Sequence, residues 1–240
     1  MRENNNFLMG IRDGMPICLG YLSVSFAFGI FAVASGLDFW QAILISMFNL
    51  TSAGQLAAVP IIAGAGSIVE LMITELVINS RYALMSVSLS QSMGPSVRLR
   101  DRFLIAFANT DEIFAVAVGK GEPVGRKYML GLATTPYFGW TVGTILGAVA
   151  GNILPAILVS ALGIAIYGMF IAIVVPTAIE DRKTALCVAA SVALSCVFNY
   201  VSPLNKISSG FVIIICAVTV SLIFALLAPL PAEEEVSQNV

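Results

Sequence analysis

The 240-residue chain contains no histidine. That absence removes the commonest metal ligand and the side chain that most readily changes charge near neutral pH. With it go Ser-His hydrolysis and His-based metalloprotease chemistry, and no metal or other cofactor is implied. Charge is scarce as well. Asp, Glu, Lys and Arg make up 11% of the residues, against about 25% in soluble domains, too few to coat a water-exposed globule. The net charge is −2 and the basic residues are scattered, so there is no nucleic-acid footprint. No G-x-x-x-x-G-K-[ST] loop occurs, which argues against direct ATP hydrolysis. The four cysteines (Cys18, Cys187, Cys196, Cys216) all sit within apolar runs and read as small buried side chains.

Apolar residues dominate instead, at 58% of the chain, with a mean hydropathy of +0.94. They fall in successive runs near the roughly 20 residues that a membrane-spanning helix needs. The expected fold is an all-α polytopic membrane protein of about 7–8 transmembrane helices, with one or two broken or re-entrant segments. Residues 1–13 form a polar leader, 14–230 a single transmembrane domain in contact with the lipid bilayer, and 231–240 an acidic tail. The first apolar run, after Arg12, spans about 24 residues and exceeds the 7–15 of a secretory signal.

Two stretches interrupt this pattern. Residues 42–65 are apolar at both ends but hold Asn49, Thr51, Ser52, Gly54, Gln55 and Pro60. That composition fits either a helix broken at mid-membrane or a continuous helix whose polar groups bond to neighbours. Residues 103–118 are short for a span and carry Asp111 and Glu112, which makes them a candidate re-entrant or interrupted segment.

Between them, 67–92 reads as a helix with two polar stripes. Glu70, Thr74, Arg81 and Ser88 share one face, and Glu75, Asn79, Tyr82, Ser86 and Ser90 lie nearly opposite. Such a helix belongs at the centre of a bundle. Glu70 and Arg81 are about 16 Å apart along an unbroken axis, so Arg81 needs a partner from Asp111, Glu112 or a bound carboxylate. Ionisable side chains at this depth persist where they face a pathway or one another. The candidate substrate contacts are Asn49, Thr51, Ser52, Gln55, Asn79 and Arg81, and the candidate proton carriers are Glu75, Asp111 and Glu112. Glu70 is expected near the membrane surface, merely solvated. Tyr82, Tyr137 and Trp140 are expected to be packing or interfacial residues.

Four segments hold nearly all the Lys and Arg: the leader, 94–102, 119–127 and 180–183. Basic loops mark the cytoplasmic side. If 42–65 and 103–118 are both re-entrant, all four segments fall on that side; if both span, the three-arginine loop 94–102 falls outside. Either version places both termini in the cytoplasm. A loose internal echo relates Pro16, Gly20 and Gly29 to Pro136, Gly139 and Gly147, and 37–46 to 163–172.

Across roughly residues 10–230 the chain resembles the large subunit of the AzlC-type branched-chain amino-acid permeases of bacterial inner membranes. The resemblance rests on Gly14-x-Pro16, Ala53-Gly54-Gln55, Asn79-x-Arg81 with Ser88-Leu89, and Thr110-Asp111-Glu112-x-Phe114-Ala115. It implies export of leucine, isoleucine, valine, methionine or similar amino acids, usually beside a small four-span AzlD-type subunit. The family's Ser-Gln-Phe pattern appears here as Gly54-Gln55-Leu56, a departure that bears on substrate identity. A secondary transporter, with proton-coupled efflux in first place, is the reading that joins these features. A channel or a non-catalytic subunit of a larger transport complex is the alternative, and an intramembrane enzyme ranks below both.

Overall fold

The computed structural model describes residues 4–227, and within them the protein is helical apart from short connections and isolated bridges. The first residues of the leader and the acidic tail 231–240 lie outside the described residues. Ten α-helices follow one another: α1 (Phe7–Ala34), α2 (Phe39–Phe48), α3 (Ser52–Ala63), α4 (Ile68–Gln91), α5 (Leu99–Phe107), α6 (Asp111–Val118), α7 (Arg126–Ile153), α8 (Ala156–Glu180), α9 (Arg182–Tyr200) and α10 (Ser209–Leu227).

Their lengths separate two kinds of element. α1, α4, α7 and α8 have 24 to 28 residues, at least about 36 Å each, enough to cross a hydrocarbon core of about 30 Å. α9 and α10, at 19 residues each, and α1 also have the hydropathy of membrane spans. By contrast α2, α3, α5 and α6 have 10, 12, 9 and 8 residues, about 12–18 Å, or half a membrane each.

The ends of the long helices show which way the short ones run. Asn4, just before α1, exchanges backbone hydrogen bonds with Pro123 (3.0 Å) and Gly125 (2.7 Å), which precede α7. Val124 donates to Ser92 and accepts from Gly94, after α4. The start of α1, the end of α4, the start of α5, the end of α6 and the start of α7 therefore share one membrane face. At the opposite face Ala32, Leu37, Ala42, Val59 and Ala148 form one core cluster, and the Gly210 amide at the start of α10 donates to Glu70 near the start of α4 (3.0 Å). So α2–α3 enters and leaves through one face, and α5–α6 through the other. Both interrupted segments are re-entrant helical hairpins, and the continuous-helix reading of 42–65 is set aside.

Helix α5 begins inside the stretch expected as loop, because the buried Asp101 carboxylate accepts the Arg98 amide (3.1 Å) and starts a turn there. Asp101 also pairs with Arg126 at 3.0 Å, holding the hairpin to the base of α7. Glu70, expected to be solvated, is instead 4% exposed. Its carboxylate accepts the Gly210 amide at the start of α10, where the helix dipole favours a negative charge.

The core seam runs between α1 and α7, which lie parallel. Gly10 faces Tyr128 and Leu132, Gly139 faces Cys18, and Gly147 faces Phe26. Small residues let membrane helices approach to backbone contact, and a Cβ on Gly147 would overlap the Phe26 carbonyl. The echo between Pro16–Gly29 and Pro136–Gly147 thus coincides with two helices packed side by side. The other echo has no structural counterpart: 37–46 runs into a half-membrane helix, whereas 163–172 lies within the long α8. A different repetition is visible in the topology. α1 is followed by a hairpin from the face where α1 ends, and α4 by a hairpin from the face where α4 ends, so the second unit is the first turned upside down.

Candidate functional site

Each hairpin turns on a short extended break, and each break ends on a threonine. Asn49 and Thr51 have extended backbone, and the Thr51 hydroxyl accepts the Gly54 amide (3.4 Å) to begin α3. Thr110 does the same for Ile113 (3.5 Å) at the start of α6. Threonine suits the position because its oxygen satisfies an amide that has no intrahelical acceptor.

Unwound backbone at membrane depth must find partners inside the protein, and Gln55 supplies them at the first break. It is completely buried. Its amide nitrogen donates to the Asn49 carbonyl, while its oxygen accepts from Ser46 and from the Trp140 indole, both at 3.3 Å. Ser46 in turn bonds Thr144 of α7 at 2.7 Å. At the second break the Tyr21 hydroxyl of α1 lies 2.6 Å from the Thr110 oxygen and 2.5 Å from Glu112 Oε2. A single O–H serves one acceptor, so Tyr21 donates to the Glu112 carboxylate and the Thr110 hydroxyl donates to Tyr21.

Helix α4 reads both breaks from one side. Asn49 and Asn79 both donate to Glu75 Oε2, at 3.0 and 2.7 Å. About two helical turns beyond Asn79 toward the other face, Asn109 donates to Ser86 (3.2 Å). Between these levels Arg81 Nη1 pairs with Asp111 Oδ2 at 2.8 Å. The guanidinium also donates to the Tyr82 hydroxyl (3.0 Å) and lies over its ring. The separation of Glu70 from Arg81 holds, with Asp111 as the partner of Arg81. The two-stripe argument for a fully enclosed helix does not: Met72, Leu76, Leu84 and Val87 present an exposed apolar face on α4.

Between α1, the two hairpin tips, α4, α7 and α8 lies a cavity of about 710 Å³. Its polar wall is Ser52, Arg81, Tyr82, Thr110, Asp111 and Glu112, with the Tyr21 hydroxyl; its apolar wall includes Ile17, Val24, Leu50, Trp140, Phe170 and Val174. The first-turn residues of α3 and α6 face it, so the positive ends of two half-helices point toward the chamber. Arg81 and Asp111 each keep about half of the side chain exposed, at 49% and 47%, and are reachable by a solute.

Of the residues proposed from sequence, Ser52, Arg81, Asp111 and Glu112 line this cavity. Asn49, Thr51 and Asn79 line a neighbouring smaller pocket. Gln55 lines neither and braces the first break, and Glu75 sits against Gly54 behind Asn49. Tyr21 and Trp140 are in the cavity although sequence reasoning did not select them as site residues. Tyr21 offers one signal, a hydroxyl in an uncharged span, while the sequence leads one to expect Trp140 as a packing or interfacial residue. Their rings meet edge to face at 5.1 Å.

The family model for AzlC protein matches residues 16–154, from within α1 to the end of α7. The chain is 29% identical to inner membrane protein YgaZ of Escherichia coli (strain K12) over 77% of this chain and 78% of that one. It is 30% identical to an uncharacterized membrane protein of Archaeoglobus fulgidus over 79% of this chain and 84% of the relative. A membrane protein of Helicobacter pylori (strain 26695) matches at 27% over 62% and 67%. No solved structure matches the chain significantly. By the family model, which takes in both hairpins, and by these relatives, the chain belongs to the AzlC family of membrane proteins.

Proposed function

We propose that this protein exports small zwitterionic amino acids with apolar side chains, the branched-chain amino acids and methionine first among them, across a bacterial inner membrane. One observation carries the reading: a single solvent-reachable chamber combines a cation, two carboxylates and an apolar wall. A substrate carboxylate fits Arg81 and the amide end of α3, which has no acidic residue in its first turn. An ammonium group fits Asp111 or Glu112. An aliphatic side chain fits the wall of Ile17, Leu50 and Val24. Substrate would compete with the Arg81–Asp111 pair, exchanging one ion pair for two.

Proton coupling fits the same chamber, through Asp111 or Glu112. Glu112 already holds a hydrogen bond to Tyr21 that a change of protonation would rearrange. The face carrying the leader, 94–102 and 119–127 is the basic one, which supports a cytoplasmic N-terminus. An AzlD-type small subunit is proposed to complete the transporter, and co-purification from cells expressing both chains tests it.

The main test is counterflow of labelled leucine, isoleucine, valine and methionine in proteoliposomes, with and without a pH gradient. Saturable, substrate-selective exchange supports the reading. Unselective flux that does not saturate favours a channel, and absence of flux with or without the small subunit removes the transport assignment.

A further inference from the structure

The two breaks leave unlike helix ends on unlike sides. The large cavity faces the beginnings of α3 and α6, but a second pocket of about 220 Å³ is lined by Phe48 and Phe107, the last residues of α2 and α5. Asn49, Asn79 and Asn109 line it with them. Helix C-termini carry carbonyls without intrahelical partners and a partial negative charge.

Several side-chain oxygens beside this pocket have no partner among the described residues. Asn109 is 3% exposed, and its amide nitrogen is committed to Ser86. The amide nitrogens of Asn49 and Asn79 are committed to Glu75 Oε2. The oxygens are not committed: Asn109 Oδ1, Asn79 Oδ1 and Glu75 Oε1 are buried with no hydrogen-bond partner among the described residues. A buried unpaired acceptor costs about 1–3 kcal/mol, a cost that a bound positive charge shared among these oxygens would remove. The set is all oxygen, which suits a hard cation. It contains one carboxylate, Glu75, directly behind Asn49 and Asn79, and one negative charge balances one positive charge.

We propose that this pocket binds a sodium-sized monovalent cation, with Asn79 and Asn109 as side-chain oxygen donors and Glu75 as the balancing charge. Its position where both hairpin tips meet α4 would make closure of the two tips depend on the ion, and so tie the ion to the cavity next door. The site rests on this pocket alone and stands or falls separately from the amino-acid reading.

Thermal unfolding of the purified full chain in detergent tests it, in sodium, potassium or choline chloride at equal ionic strength. Sodium is expected to raise the midpoint saturably and choline not at all. Glu75→Gln and Asn109→Ala should each weaken the apparent sodium affinity by about tenfold or more. Binding of ²²Na⁺ to the unmodified protein, measured by scintillation proximity, reports the site directly even if Glu75→Gln does not fold. Equal midpoints in all three salts, a potassium effect as large as that of sodium, or undiminished ²²Na⁺ binding by Asn109→Ala would each overturn the assignment.

Discussion

Arg81 Nη1 and Asp111 Oδ2 stand 2.8 Å apart, and nearly half of each side chain remains open to the cavity. The pair joins the middle of a spanning helix to the first turn of a half-membrane helix that enters from one face. An ion pair this exposed contributes little to stability, about 0–1 kcal/mol, so its position in the chamber is better explained by what it can bind.

Arg81→Ala and Asp111→Asn should therefore separate transport from folding. Each is expected to lower amino-acid counterflow by at least about tenfold, the scale of one lost charge-assisted contact of about 1.5–3 kcal/mol. The thermal midpoint of the extracted protein should change by no more than a few degrees. Normal exchange by both variants in proteoliposomes would remove the pair from the substrate path.

Gln55 should behave in the opposite way. It is buried and ties Asn49, Ser46 and Trp140 to one another without lining the cavity. Gln55→Leu strands an indole N–H and a backbone carbonyl, at about 1–3 kcal/mol for each orphan. The expected result is a loss of at least about 2 kcal/mol in unfolding stability, read by denaturant titration in detergent. The cavity-lining Ser52→Ala should leave stability nearly unchanged and alter the substrate concentration for half-maximal exchange. If Gln55→Leu keeps full stability but loses substrate affinity, Gln55 contacts substrate after all.

How legible this was from sequence depends on the range of the interaction. The breaks were half readable: Asn49-Leu50-Thr51 and Asn109-Thr110-Asp111 place turn-forming and capping residues inside apolar runs, a local conflict that a re-entrant or broken helix resolves, but at 42–65 a continuous helix bonded to its neighbours fits the same residues. Arg81 as a residue needing a distant partner was readable from the cost of an unpaired charge in lipid. The roles of Gln55 and Glu70 were not readable, because each depends on which remote backbone group comes within reach: the Asn49 carbonyl across a turn, and the Gly210 amide 140 residues away. Tyr21 was missed for the same reason, since nothing near it in the chain announces Glu112. Charge placement alone left two topologies open. The backbone bonds joining Asn4, Val124 and Ser92 are what bring the basic segments to one face.

The α1–α7 seam yields a paired prediction about glycine. At Gly147 the neighbouring Phe26 backbone carbonyl occupies the space a Cβ would need, whereas nothing lies within 4 Å of a Cβ placed on Gly168 of α8. Two packed backbones cannot yield as a flexible side chain can. Gly147→Ala is expected to reduce the yield of folded protein severalfold and lower its thermal midpoint. Gly168→Ala should be neutral or slightly stabilising, since alanine is favoured over glycine in helices by about 1 kcal/mol. Fluorescence-detected size-exclusion of both variants provides the comparison, and equal behaviour would show that the seam opens more readily than its geometry implies.

The arrangement of the hairpins makes a last prediction that does not depend on substrate. If α2–α3 and α5–α6 are re-entrant from opposite faces, then Pro95, between α4 and α5, and Lys183, at the start of α9, share the face of Asn4. Ala34, at the end of α1, and Ser208, before α10, lie on the other. All four positions are exposed. Single cysteines introduced there, in a background with Cys18, Cys187, Cys196 and Cys216 replaced, should fall into two classes toward a membrane-impermeant maleimide. In intact cells Ala34→Cys and Ser208→Cys are expected to react, and Pro95→Cys and Lys183→Cys only after permeabilisation, as the positive-inside rule orients the basic face inward. Reversal of both classes together would invert the orientation and leave the fold intact. A split within either class, with Pro95→Cys separating from Lys183→Cys or Ala34→Cys from Ser208→Cys, would mean that an interrupted segment crosses the membrane. The meeting of two hairpin tips at one depth would then be lost, along with the chamber and the ion pocket built on it.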